Sequence, residues 1–307
     1  MRTKFISTLT ELAERDDRIF LLVGDLGYSV VEIFQKKFPD RFFNVGVAEQ
    51  NMMGVAAGLA LSGKIVFTYS FANFTTFRCL EQIRNDICYH NLNVKIIGIG
   101  SGFTYGPSGM SHHGTEDLAI MSVLPNMTII SPCDPVEMDL AIKACVKWDG
   151  PCYIRVRKAG EPTLHKNSPD FRIGKGIIVQ DGEDITLIAT GWILNNVIKA
   201  ARLLEAHNIQ SRIISMHTIK PLDEALILDS AQKTRGVMTI EDQNIAGLGS
   251  AVGRVLISSR KCAVPFTAIG LTDQYSYDVG SEEYHLIKSK LTPESICTAA
   301  INTLNTQ

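Results

Sequence analysis

Long apolar runs are missing from this 307-residue chain: no stretch reaches the roughly 18 residues that a membrane-spanning helix needs. A surplus of one charge is missing too. The 30 basic side chains face 32 acidic ones, a formal net charge of −2, so no excess of cations is available to neutralise a nucleic-acid backbone. The seven cysteines form no CxxC pair and no Cys/His zinc spacing; an odd number scattered through apolar segments suits reduced, buried thiols and a cytoplasmic protein. A nucleophile elbow, a P-loop and a HExxH helix are all absent. The N-terminus, MRTKFISTLTELAERDD, carries charge throughout and reads as an amphipathic helix, not a signal peptide. What is plentiful is apolar surface, at 45% of residues against 20% charged, which excludes a disordered chain and supplies a core.

The pattern of that apolar surface is α/β. Short branched runs at Ile19–Gly24, Ile65–Ser70, Val94–Ile99, Met127–Ser131 and Cys152–Val156 predict strands, each ending near Gly, Ser or Pro. Helical stretches of roughly 10–15 residues lie between them, the rhythm of a mainly parallel sheet covered on both faces. Lys158–Ile173, with two prolines and a glycine, reads as a linker. The pattern then restarts with strands at Ile185–Thr190, Arg212–Met216 and Val237–Glu241, and helices at Leu194–His207 and from Gly249. Two three-layer α/β domains are expected, 1–157 and 174–307, joined by 158–173.

Three stretches can carry chemistry. In Arg41–Gly63, RFFNVGVAEQNMMGVAAGLALSG, a strand, a glycine turn and then Glu49 open a helix. Glu49 reads either as an acid favoured by the helix dipole or as a site carboxylate. Met52, Met53, Val55, Ala56, Ala57, Leu59 and Ala60 predict a helix buried all round, and a carboxylate heading such a helix is poorly solvated unless paired. In SFANFTTF, Phe71, Phe74 and Phe77 recur every three residues and share one side of a helix or turn, either as core packing or as the wall for a flat ring. Gly98–Asp117 follows a strand, is rich in glycine and holds His112 and His113, where ligands of open α/β sheets bind. The glycines of Gly174–Gly176 and Gly247–Gly253 do not form a GxGxxG between strand and helix.

Together these stretches resemble the second half of the transketolase family of thiamine-diphosphate enzymes. GVAEQNM resembles the family's Gly-Val-x-Glu-His/Gln motif, SFANFTTF its Phe-x-x-Phe-x-x-Tyr pocket with Phe77 in place of Tyr, and SGMSHHG its Asp-Gly-x-Thr-His segment; IKPLD and TIED resemble its C-terminal domain. The resemblance implies a pyrimidine-binding domain followed by a transketolase C-terminal domain. It implies that Glu49 is the catalytic glutamate, hydrogen-bonded to N1′ of the cofactor's aminopyrimidine, so that the cofactor's own 4′-nitrogen removes the thiazolium proton. Phe71, Phe74 and Phe77 would hold the aminopyrimidine ring, and His112 falls on the active-site histidine. For a substrate phosphate, counting back without a gap from Gly24-Asp25-Leu26 places Arg2 on one family arginine; Ser29 falls on the serine and Arg157 near a second arginine.

Two departures fall in the implied substrate pocket. The family's sugar-contacting aspartate is Ser108 here, and a further histidine, twelve residues before His112, is Gly100. A third concerns the metal. The family's Gly-Asp-Gly…Asn motif, which holds the magnesium bridging the diphosphate, belongs to a different domain, and this chain has only Gly24-Asp25-Leu26. The resemblance therefore implies the C-terminal subunit of a split transketolase. A separate diphosphate-binding subunit would hold Mg2+, two of each chain would form a heterotetramer, and the active site would lie at their interface. The reaction implied is transfer of a two-carbon ketol unit from a ketose or its phosphate to an aldose. The same layout occurs in the β subunit of a 2-oxoacid dehydrogenase E1 component and in deoxyxylulose-phosphate synthase-like enzymes. A non-catalytic partner subunit, decayed at Ser108 and Gly100, is the reading from another class; the retained Glu49 and three phenylalanines weigh against it.

Overall fold

The computed structural model describes residues 1–244, 246–259 and 264–305. Among the described residues, twelve strands build two sheets. Strands β1 (Ile19–Val23), β2 (Phe42–Asn44), β3 (Ile65–Phe71), β4 (Val94–Ile99), β5 (Thr128–Ile130) and β6 (Cys152–Val156) are followed by β7 (Ile177–Gln180), β8 (Ile185–Ala189), β9 (Ser211–Ser215), β10 (Thr218–Lys220), β11 (Val237–Asn244) and β12 (Phe266–Leu271). The first sheet runs β10-β5-β6-β4-β3-β1-β2 and the second β12-β11-β8-β9-β7. Both are parallel except at one edge each, where β10 runs antiparallel to β5 and β7 antiparallel to β9.

The first sheet is buried on both faces, which is why its strands are continuous apolar runs. Leu21, Val23, Phe67 and Tyr69 point to one face, into a core shared with Phe5 and Leu9 of the helix Arg2–Ala13 and Met138 of the helix Pro135–Val146. Their neighbours Leu22 and Val66 point to the other, against Met52 and Met53 of the helix Glu49–Leu61. The second sheet repeats this: Leu187 and Ile213 meet Val197 and Ala300 on one side, while Ile188 and Ile214 meet Ile227 and Val252 on the other.

Several elements differ from the sequence reading. Strand β10 comes from the second half of the chain yet completes the first sheet, held by Ser131 N–H donating to His217 O and by Lys220 Nζ donating to Ser122 O and Leu124 O. The Glu49 helix is not buried all round: Gln50, Asn51, Gly54, Val55, Gly58 and Leu61 are exposed along one stripe. Strand β11 runs on to Asn244, and the edge strands β7 and β12 are additions whose mixed burial left no strong alternation to read. The described cysteines are free and buried; Cys262 lies outside the described residues. No described helix is long and apolar enough to cross a membrane.

Candidate active site

The candidate residues gather at one edge of the first sheet because their loops all leave the carboxyl ends of adjacent parallel strands, where open α/β sheets bind ligands. Gly24–Ser29 leaves β1, the turn into Glu49 leaves β2, Phe71 ends β3, the His112 loop leaves β4, and Arg157 leaves β6.

Glu49 is the first residue of its helix and only 3% exposed. Ser70 Oγ donates to its Oε1 at 3.1 Å, and Arg78 Nη1 donates to its Oε2 at 3.0 Å. The alternation of β3 explains the first contact: Ser70 faces the Glu49 side while Tyr69 and Phe71 face away. Gly24 faces the same carboxylate, and a Cβ there would lie 3.5 Å from Oε1. The Arg78 guanidinium also covers the Phe74 ring, 4.1 Å from its centroid, so one cation serves both the carboxylate and the aromatic wall.

Phe71 and Phe74 meet edge to face at 5.3 Å, and the His112 ring stands 5.1 and 5.3 Å from them. Phe77 ends the short helix Ala72–Thr76 and is 47% exposed. The structure separates the two histidines. His112 is half-buried, its Nδ1 3.0 Å from Ser111 Oγ. His113 is buried against Phe103 and His285, and burial pushes it below the ordinary histidine range. A cleft of about 950 Å³ opens beside this set, lined by Phe74, Phe77, Arg78 and His113 and, from the second half of the chain, by Tyr275 and His285.

The expected substrate residues are less uniformly disposed. Arg2 is half-buried, its Nε donating to Lys158 O. Ser29 lies on an exposed turn at φ +62°, its N–H donating to Glu32 Oε1 at 2.7 Å. Ser108 is exposed in the turn Gly106–Ser108. Arg157 is already engaged: its guanidinium forms a forked pair with Glu282 and covers Trp192 at 4.3 Å. Sequence reasoning missed Arg78, Ser70 and Tyr105, whose ring packs edge-on against Phe71 at 4.9 Å. Arg78 directly follows Phe77, but no periodicity marks it as the partner of a residue 29 positions earlier.

Comparison with known proteins places the chain in a family. Residues 1–160 match the family described as transketolase, pyrimidine binding domain, and residues 174–296 match transketolase, C-terminal domain. The chain is 38% identical over 302 residues to the 6-deoxy-6-sulfo-D-fructose transketolase subunit SqwH of a Clostridium species, covering 98% of this chain and 93% of that one. It is 36% identical over 303 residues to a subunit of the apulose-4-phosphate transketolase of Phocaeicola vulgatus, covering 98% and 96%. It also resembles a solved split-gene transketolase, described as an inactive β4 tetramer, at 38% identity with a TM-score of 0.89 over 99% of this chain and 97% of that one.

Proposed function

Given that the chain belongs to the transketolase family of thiamine-diphosphate enzymes, we propose that it is one subunit of a two-chain transketolase that moves a two-carbon ketol unit from a ketose to an aldose. The observation that carries this reading is the buried Glu49 carboxylate, aligned by Ser70 and Arg78 beside the Phe71–Phe74–His112 rings.

The residues present fit half of the cofactor. One oriented carboxylate, a bare glycine opposite it and apolar ring edges suit a flat, weakly polar aminopyrimidine. They do not suit a diphosphate with its Mg2+, which needs acidic and amide oxygens at 2.0–2.1 Å or so from the ion. Those groups are assigned to a separate diphosphate-binding subunit, in a heterotetramer of two chains of each kind located in the cytoplasm. The similarity to proteins named as subunits supports the division.

When bound, thiamine diphosphate supplies the thiazolium carbon that accepts and passes on the two-carbon unit. This chain's residues act around it. Glu49 holds a proton at the aminopyrimidine N1′, with Ser70 and Arg78 fixing its plane. Phe71, Phe74 and Phe77 bind the ring and exclude water. Ser111 Oγ engages His112 Nδ1, leaving Nε2 to exchange a proton with a substrate oxygen. Arg2, Ser29 and Ser108 stand on the substrate side. Arg157 joins them only if Glu282 releases it.

Two measurements test the reading. Ketol transfer is absent from the chain alone and appears on mixing with the diphosphate-binding subunit, thiamine diphosphate and Mg2+, with native mass spectrometry showing two of each chain. Glu49→Gln, which keeps the size of the side chain, then lowers kcat by about 10²-fold or more while the assembly mass is unchanged. A variant complex that turns over at the parental rate refutes the role of Glu49. Oxidation of a 2-oxo acid with a lipoyl acceptor, in place of ketol transfer, moves the chain to the E1 reading.

A further inference from the structure

The cleft beside the candidate active site has a second wall, built where the two halves of the chain meet. Phe103, His113 and Glu116 come from the first half, and residues 271–277 and His285 from the second. His285 stacks on Phe103 with ring centroids 4.6 Å apart, and His113 stands edge-on to both at 5.1 Å. The two histidines are only 2% and 1% exposed. Burial pushes both below the ordinary histidine range, so both imidazoles are neutral near pH 7.

Each imidazole is anchored through one nitrogen only. His113 Nε2 lies 3.4 Å from Gly106 O. A carbonyl only accepts, so Nε2 carries the hydrogen and Nδ1 is a bare lone pair. His285 Nδ1 lies 3.1 Å from Ser276 Oγ. The other two ring nitrogens, His113 Nδ1 and His285 Nε2, are buried with no hydrogen-bond partner among the described residues. Asn73 adds a third such atom. Its Nδ2 donates to Ser111 O at 3.2 Å and to His113 O at 2.7 Å, while its buried Oδ1 has no partner. All three residues line the cleft. Buried polar atoms without partners are rare in folded proteins, and three along one cavity point to a ligand with several hydrogen-bonding groups.

Charge and surface narrow its class. Arg78 and Lys288 are engaged by Glu49 and Asp278. Lys290, Glu116 and Asp273 are the other charged lining residues, so no cationic surplus awaits an anion. Phe74, Phe77, Phe103 and Tyr275 add aromatic surface, and about 950 Å³ suits a small molecule. Water answers unpartnered polar atoms but not aromatic surface. A molecule with C–H faces and several hydroxyls answers both.

We propose that this inter-domain cleft binds a neutral, polyhydroxylated compound of monosaccharide size, whose hydroxyls engage Asn73 Oδ1, His113 Nδ1 and His285 Nε2. The site stands on the geometry alone; only the identification of that compound with the aldose acceptor rests on the ketol-transfer reading. The second half of the chain thereby takes a direct part in binding a ligand.

The test is an NMR titration of the imidazole signals of the full chain with D-ribose, ribitol and cyclopentanol, the last having a single hydroxyl. Ribose and ribitol move the His113 and His285 signals saturably, and cyclopentanol does not. His285→Phe keeps a ring against Phe103 and removes the nitrogens. It weakens binding of both polyols about fivefold, the value of one neutral hydrogen bond. Tyr275→Ala, at a residue 61% exposed, weakens binding with the thermal midpoint unchanged, so a poorly folded His285 variant does not stall the test. No saturable shift with either polyol, or parental affinity in both variants, overturns the site. Signals that move only on addition of the diphosphate-binding chain overturn it too, because the cleft then seats that chain. The reconstituted enzyme separates two sources of the ligand. If it is the acceptor, His285→Phe raises KM for the aldose about fivefold and leaves KM for the ketose donor unchanged. If it is an effector, both KM values stay, and ribitol changes the rate of the parent but not of the variant. If no ketol transfer is found, the transketolase reading fails and the titration still decides the cleft.

Discussion

Glu49 and His217 are both buried polar residues, and they solve the problem of burial in opposite ways. Glu49 is matched at each oxygen, by Ser70 and by Arg78. His217 stays neutral. It is fully buried, stacks on Phe171 at 3.8 Å and shares its Nδ1 with Thr218 Oγ1, and burial pushes it down to about 4. Between the ordinary histidine value near 6.5 and this lowered one, the unfolded chain binds a proton that the folded chain refuses, so stability rises with pH across that window and is lost on acidification. His165 shifts the other way: burial pushes it down, but the Glu137 carboxylate, 2.9 Å away, together with Asp134 outweighs that and raises it, so its contribution is present below about 6.5 and lost as pH rises through its raised folded value. Urea unfolding at pH 7 and pH 5 checks the first of these. The parent loses about 2 kcal/mol through His217 over that interval, and His217→Phe loses that much less. An identical loss in both proteins shows that the imidazole is not held neutral. Neither behaviour was legible in the sequence, since Arg78, Phe171 and Glu137 reach their partners only through the tertiary fold. Glu49, the phenylalanines and His112 stood out as candidates in the sequence because loop and helix-start chemistry is local, and the fold brings Glu49, Phe71, Phe74 and His112 together.

At the scale of elements, the helix Pro135–Val146 shows how one side chain can join three segments. Asp134 precedes Pro135, and its Oδ1 accepts from Glu137 N at 2.8 Å, as an N-cap should. Its Oδ2 accepts from Leu164 N at 2.8 Å and His165 N at 3.0 Å, both in the polar stretch 158–173. Glu137, one turn on, accepts from Cys133 N and His165 and also from Ser215 Oγ in the second sheet. Cys133, Glu137 and His165 bring potential metal ligands within 4.8 Å of one another, yet hydrogen bonds already use both oxygens of Glu137. Asp134→Ala removes the cap and strands two further N–H groups. A loss of about 2–4 kcal/mol is expected, with protease cleavage within 158–173 accelerated ahead of global unfolding. A destabilised variant whose linker resists the protease as the parent does would separate the cap from the linker. Most strands of both sheets were readable as short apolar runs, because parallel strands are buried on both faces. Strand β10 was not: three residues, Thr-Ile-Lys, carry no period, and its place is fixed by contacts with β5 and the 122–124 turn.

At the scale of the whole molecule, the two sheets are locked by a fully buried Arg155. It donates to Asp117 within the first sheet's helical layer and to Asp242 on β11, while Trp192 Nε1 donates to the other oxygen of Asp242. The candidate site lies at the open carboxyl ends of the first sheet's strands, and the helix that Glu49 begins carries an exposed stripe from Gln50 to Leu61. Gly54 and Gly58 lie on the stripe, and a Cβ at either would meet nothing within 4 Å. An unpacked glycine inside a helix costs about 1 kcal/mol relative to alanine, a cost with no return within this chain. Close approach of the proposed partner chain would supply one: glycines let a neighbouring backbone come near, flanked by Val55 and Leu61, which are 36% and 68% exposed. The proposed active site shared at this helix predicts two effects of opposite sign. Replacing Gly54 and Gly58 with leucine raises helix propensity and leaves the stability of the separate chain equal or slightly higher. The same change weakens association with the diphosphate-binding chain tenfold or more, so ketol transfer is lost on dilution and returns at high concentrations of the two chains. Urea unfolding of the chain and titration of one chain with the other read the two effects independently. Unchanged affinity in a well-folded variant would move the interface away from the Glu49 helix, and with it the site of cofactor capture.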